Sequence, residues 1–351
     1  MSVKEFGNKP GVQLSPRTVL AWRMAQAAVW VVGAFILFCL LFAPKLGILL
    51  FWNILIPVAP ALFVVATGVW RNVCPLATTA LLPRHWGLSK RKRLSVAQLS
   101  KLNLVAVIAL FIIVPLRHAV FNSNGLATGI LIISMLIAGS VAGFFYEWKS
   151  AWCSGLCPVH PVEKLYGGNV LMPMPNAHCS QCMNCVIPCP DSTANMHPAY
   201  SKKTISHKIS SIMIIGGLPG FIWGWFHVPD QAIITSVSSF FSVYKMPALG
   251  FGFTLLLYEL LLPILQTRRE RMLISIFAAA GVSCYYWYRI PALFGFGNFA
   301  DDGLLLDLRH VLPAWSLTVI TTATTIFFFY WLVIRKQNNI SWVTRPQYAG
   351  K

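Results

Sequence analysis

The chain has 351 residues, of which 56% are hydrophobic and 11% charged, with a formal net charge of +18. Soluble domains carry about 25% charged residues, so this composition excludes an ordinary globular domain and reads as a membrane protein. The positive excess does not argue for nucleic acid, because the basic residues sit in short clusters between apolar runs, which is how helices are oriented in lipid.

Residues 1–23 are long and mixed and do not read as a cleavable signal peptide. A helix needs about 20 apolar residues to cross the hydrocarbon core. Eight stretches meet that requirement: 24–43, 46–68, 102–121, 126–146, 211–229, 246–265, 272–290 and 311–334. The fifth is weakened by Gly216, Gly217, Pro219, Gly220 and Gly224, and backbone groups freed by such residues need partners inside the bundle. Between the second and third stretches, RHWGLSKRKRLS (84–95) reads as a topology signal and lipid-headgroup anchor. Ser95 and Gln98 have the spacing of a capping box that opens the third span. Between the fifth and sixth, DQAIITSVSSFFSVYK (230–245) puts Ile233, Ile234, Val237, Phe240, Phe241 and Tyr244 on one helical face, a pattern expected of a helix lying in the interface.

The N-terminus, 71–101, 148–210, 266–271 and the C-terminus carry 4, 7, 5, 3 and 4 Lys and Arg, which is 23 of the 28. The alternate loops hold only Lys45, Arg117, Lys245, Arg289 and Arg309. The expectation is therefore a multi-pass protein of the cytoplasmic membrane with both termini and segment 148–210 in the cytoplasm. The fold class is an all-α membrane protein of about eight transmembrane helices with a cytosolic ferredoxin-like iron–sulfur loop between the fourth and fifth. Its regions are 1–147, 148–210, 211–334 and a tail, 335–351.

Six of the nine cysteines lie between 153 and 189. On a reducing face such a group points to metal rather than disulfides. Cys179-x2-Cys182-x2-Cys185-x3-Cys189-Pro190 is the bacterial ferredoxin run for a [4Fe–4S] cluster. Thiolates three residues apart can wrap one side of a compact cube while the turning backbone offers N–H groups to its sulfurs. Structural zinc favours two separated cysteine pairs, and using Cys153, Cys157, Cys179 and Cys182 for it would leave Cys185 and Cys189 idle.

Upstream, Cys153-x3-Cys157-Pro158 repeats the last part of the run. In two-cluster ferredoxins the fourth cysteine of each run serves the other cluster. Either Cys157 or Cys189 can therefore close the first cube. In the first case Cys189 joins Cys153 at a second centre; in the second, Cys153 and Cys157 form a separate dithiol. An echo lies at 69–83, VWRNVCPLATTALLP, where Cys74-Pro75 aligns with Cys157-Pro158 and Trp70 with Cys153. Each Cys-Pro pair is expected to place proline first in a helix and the thiol at its N-terminus. Cys74 is thus either a ligand of a second cluster, with His160 or His178 as a further donor, or a plain helix-end residue. Cys39 and Cys284 fall inside spans as small apolar packing residues.

On these motifs, residues 20–200 resemble the membrane-bound polyferredoxin-type proteins of anaerobic respiration and oxidase assembly, including nitrate- and nitrous-oxide-reduction accessory proteins. The resemblance implies electron transfer between a quinol pool and redox partners. Those proteins usually carry two full ferredoxin runs; this chain carries one, and 211–351 matches nothing in the pattern.

His118, His227 and His310 map to the outer ends of spans, where they are interfacial residues or part of a quinone or haem b site. Glu259, inside a span, has a proton or quinone role or is paired structurally. No nucleophile or acid–base pair stands out, so the chain reads as a subunit of a quinone-linked oxidoreductase rather than an enzyme alone. Its expected partners are the lipid bilayer and a membrane or soluble redox protein, not nucleic acid. The rival readings are an assembly factor that uses the Cys153/Cys157 dithiol and a redox-gated transporter with Glu259 in its path.

Overall fold

A computed structural model describes residues 15–146, 149–171, 174–175, 177–178, 204–228, 237–264, 270–299, 303–335 and 343–344. The chain is a multi-pass bundle of helices. Among the described residues, seven helical stretches are long and apolar enough to cross a membrane: Pro16–Phe42, Pro44–His85, Val96–Ile113, Gly125–Phe145, Ile205–Phe226, Phe240–Ile264 and Ser316–Ile334. Their outward faces carry exposed Phe35, Val58, Ile137, Phe253, Leu260 and Ile326, the surface that lipid covers. An eighth stretch was expected at 272–290. A 24-residue helix, Glu270–Leu293, does run there, but it is the more polar, interior helix, with Ser283 and Arg289 fully buried.

We number the helices α1 (Pro16–Phe42), α2 (Pro44–Ile48), α3 (Ile56–Val73), α4 (Pro75–His85), α5 (Val96–Ile113), α6 (Gly125–Phe145), α7 (His160–Tyr166), α8 (Ile205–Ile212), α9 (Leu218–Phe226), α10 (Val237–Ile264), α11 (Glu270–Leu293) and α12 (Ser316–Phe329). Turns of π-helix join several of them, at 49–55 and 213–217 among others.

Prolines and a kink free backbone groups in α3, and side chains from distant helices capture them. Tyr286 of α11 inserts its phenol into the hydrogen-bond ladder, donating to the Pro57 carbonyl at 2.7 Å and accepting from the Ala61 N–H at 2.8 Å. Ala66 leaves helical geometry (φ −139, ψ 48). Next to that kink, the Val64 carbonyl accepts from the Trp331 indole at 3.1 Å and the Val65 carbonyl from the Leu171 N–H at 3.0 Å. Helix breaks in lipid persist only with such substitutes.

The glycines of the fifth span are a contact face rather than a weakness. A Cβ at Gly220 would collide with the Gly250 carbonyl of α10, and one at Gly224 with the Met246 carbonyl. Small residues let the two backbones close up. Residues 237–245, expected as part of a separate interfacial helix, are instead the first turns of α10, continuous to Ile264. The Ser95–Gln98 capping box forms as expected. The basic run 84–95 also ties down the end of α6. Lys90 N–H and Lys92 N–H donate to the Phe144 and Phe145 carbonyls, and Ser89 Oγ to the Gly143 carbonyl at 2.7 Å.

Segment 148–210 was expected as a cytosolic iron–sulfur loop with a Cys-Pro helix start near 157. Its first part, 151–170, is buried almost throughout and wedged among the helices, touching α3, α5 and α11. It returns against the end of α12, where Asn169 Nδ2 donates to the Trp331 and Arg335 carbonyls.

Candidate functional site

The site begins where α3 stops. Cys74 takes φ −55, ψ 118, which breaks the helix, and Pro75 starts α4, so this Cys-Pro pair is a helix start as expected. The second pair differs. Cys157 N–H donates to the Trp152 carbonyl at 2.8 Å, closing the π-turn of 149–156, and α7 begins only at His160. Cys157 therefore ends one helical turn instead of opening the next.

Cys153 and Cys157 are buried in one apolar cluster with Ala77, Ala80, Leu81, Ala142 and Trp152, and Cys74 packs against it. All three are free thiols. The cluster is closely packed: Trp152 lies over Gly139, and a Cβ at Gly143 would strike the Ala80 carbonyl. Burial pushes the Cys157 thiol well above its ordinary range, and the nearby Glu163 carboxylate adds to the rise. Among the described residues, no three His, Cys, Asp or Glu side chains are placed to share a single metal ion. Cys179, Cys182, Cys185 and Cys189 lie outside the described residues. Cys39 and Cys284 are buried within α1 and α11, as packing residues would be.

Beside the thiols is a buried polar quartet. Glu163 accepts from Trp70 Nε1 at 2.8 Å and from Arg71 Nη1 at 3.2 Å, and its Oε2 lies 3.1 Å from His160 Nδ1. Burial alone would raise the Glu163 carboxyl, but the Arg71 guanidinium and the His160 and Trp70 hydrogen bonds outweigh it and hold the group below its usual range. Burial pushes His160 down to about 4, against the opposing hydrogen bond to Glu163. A neutral imidazole facing an ionised carboxylate donates from Nδ1, which leaves the lone pair on Nε2. Carboxylates orient metal-binding histidines in this way.

Asn72 extends the network. Its Oδ1 accepts from the Ala177 N–H at 2.9 Å, and its carbonyl accepts from Gln26 Nε2 at 2.9 Å. Gln26 Nε2 in turn lies 3.5 Å from Nε2 of buried His178, the residue before Cys179.

The expected outer-end residues occupy different surroundings. His118 is buried against Trp225. His227 hydrogen-bonds the Trp223 carbonyl at 2.7 Å and packs on Tyr288 and Phe299. His310 and Glu259 are exposed. A cleft of about 560 Å³ between α11 and α12 is lined by Trp287, Tyr288, Thr318, Thr321 and Thr325 among others, and among the described residues no charged side chain lines it.

Sequence reading singled out the cysteines, His160 and His178 but not Glu163, Arg71 or Asn72. The available signal was the pairing of charged or polar residues with each Cys-Pro motif, Arg71-Asn72 before one and Glu163 after the other. It also treated Arg117 and Arg289 only as charges that set topology. Both are buried at the other end of the bundle. Arg289 Nη2 donates to the Trp52 carbonyl and Asn53 Oδ1, each at 2.8 Å, and Arg117 lies over the rings of Trp52 and Trp225. No family model, curated protein or solved structure matches the chain.

Proposed function

We propose that this protein is an integral membrane electron-transfer protein with one or two [4Fe–4S] clusters, the first at Cys179, Cys182 and Cys185 with Cys189 or Cys157 completing it; where Cys157 does so, Cys189 joins Cys153 at a second centre for which Cys74 is a further candidate ligand. The observation that supports this reading is that Cys74, Cys153 and Cys157, remote in sequence, belong to one packing cluster, while His178, the residue before Cys179, lies against Gln26, which donates to the Asn72 carbonyl two residues before Cys74. The donor chemistry suits such a group: buried thiols, a neutral imidazole at His160 and an apolar wall that keeps water out. When bound, the cluster supplies one-electron redox chemistry. The chain's residues hold it, orient it and insulate it.

In this reading α11 is the eighth crossing, and the thiol end of the bundle faces the cytoplasm. The protein then relays electrons between a membrane quinone or haem partner and another redox protein, as a subunit of a larger oxidoreductase. The membrane-bound polyferredoxin family is the proposed kinship. For a quinone, the cleft bordering Tyr288, on which His227 packs and whose described lining carries no charge, has suitable size and polarity. The assembly-factor reading is less well supported, because a dithiol that reduces clients needs accessible thiols of lowered pKa. Cys153 and Cys157 are buried and Cys157 is shifted the other way. The exposed position of Glu259 gives no support to a transport path through the bundle.

Iron and acid-labile sulfide analysis of the purified protein, followed by potentiometric EPR with a quinol donor, tests the proposal. About four or eight irons per chain are expected, with a signal that responds to quinol. Zinc without iron overturns the cluster, and a cluster indifferent to quinol overturns the relay.

A further inference from the structure

We propose that the hexapeptide WRNVCP (70–75) is the positioning device of the cysteine site, with Asn72 fixing the approach to the cysteine run and the Arg71–Glu163 pair fixing the segment that follows Cys157. This rests on the cluster reading above and adds residues outside any ligand set.

Three attachments radiate from this one turn. Trp70 and Arg71 both donate to Glu163, six residues after Cys157. Asn72 accepts from the Ala177 backbone, two residues before Cys179, and its own carbonyl is held by Gln26 of α1. Cys74 then ends the helix and packs against the cluster that holds Cys153 and Cys157. Asn72 is fully buried, and a buried amide of this kind is a specific connector, because an apolar side chain leaves the Ala177 N–H unmet. Two stretches, the one that follows Cys157 and the one leading to Cys179, are thereby registered against the same helix end. A ligand set assembled from both needs that register to be set by something other than the ligands.

The test compares wild type, Asn72→Leu and Asn72→Asp, the last keeping an acceptor oxygen at the same reach. Hydrogen–deuterium exchange of the peptide covering 170–178 is read with and without chelator treatment, alongside iron content, EPR line shape and thermal midpoint. Asn72→Leu is expected to speed exchange in this peptide about tenfold, roughly the factor one net buried hydrogen bond is worth. It is also expected to lower iron occupancy and broaden the EPR signal, while Asn72→Asp restores all three. The proposal is overturned if Asn72→Leu leaves exchange within about twofold of wild type, or if both variants lose protection alike. The two readings separate cleanly. Wild type without iron but with the Asn72-dependent protection keeps the positioning role and removes the cluster; iron in all three variants with unchanged exchange does the reverse.

Discussion

Arg71 and Glu163 are each almost fully out of solvent, and their pairing explains why neither is neutralised or expelled. Removing one charge from such a pair leaves the other stranded and costs about 3–5 kcal/mol. Glu163→Gln should therefore lower the unfolding free energy by that amount in detergent or nanodiscs. Arg71→Met combined with Glu163→Leu should recover most of the loss, and an additive double mutant would show that the pair is not coupled. The same quartet sets an acid sensitivity. His160 is held neutral by burial, with its folded value near 4 against an ordinary 6.5. Folding thus disfavours its proton. The stability it contributes is complete above the unfolded value and lost as pH falls from about 6.5 towards 4. Glu163, also depressed, adds a loss in the same direction below its ordinary 4.5. A thermal midpoint that drops over this window, and drops less in His160→Gln, is the expected result; a flat profile in wild type would contradict it. Of these residues only His160 drew notice from sequence, because a lone charge in an apolar stretch does not reveal which distant charge meets it.

At the scale of elements, the helices themselves were legible. Long apolar runs, the Ser95–Gln98 box and the Cys74-Pro75 helix start all stand where hydropathy and capping rules put them. Their defects were not. Pro57, Pro60 and the break at Ala66 make α3 look fragile, yet Tyr286 and Trp331 replace the missing bonds from α11 and from beyond α12. Tyr286→Phe takes away the phenol oxygen that serves both Pro57 and Ala61. Two buried backbone groups would then lack a partner, at about 1–3 kcal/mol for each group. Equilibrium unfolding of this variant should show a loss in that range, and one below about 0.5 kcal/mol would mean that the backbone re-forms its own bond. Gly220 and Gly224 tell the same story in reverse: they read as helix breakers because their use lies in the close approach of α10.

Among the described residues, two groups of buried polar and thiol side chains lie at different ends of the bundle. One end holds Cys74, Cys153, Cys157, the Glu163 quartet and the carbonyls of Trp331 and Arg335; the other holds Trp52, Arg117, Trp225 and Arg289. Read with the clustering of basic residues, this predicts that Ser95 and Lys351 face the cytoplasm while Ser123 and Leu305 face outward. Reporter fusions at these four positions should alternate accordingly. Ser123 and Ser95 on the same side would remove the proposed orientation.

Sequence alone determined the membrane class, the approximate spans and the candidate thiols, because hydropathy, charge bias and ferredoxin spacing are local properties that no neighbour can change. Tertiary structure decided that Cys74, Cys153 and Cys157 pack in one cluster, that segment 151–170 is wedged among helices, and that Arg71 meets Glu163 while Asn72 meets Ala177. These are contacts between residues far apart in the chain. They exist only once helix packing has fixed kinks, close approaches and buried partners together.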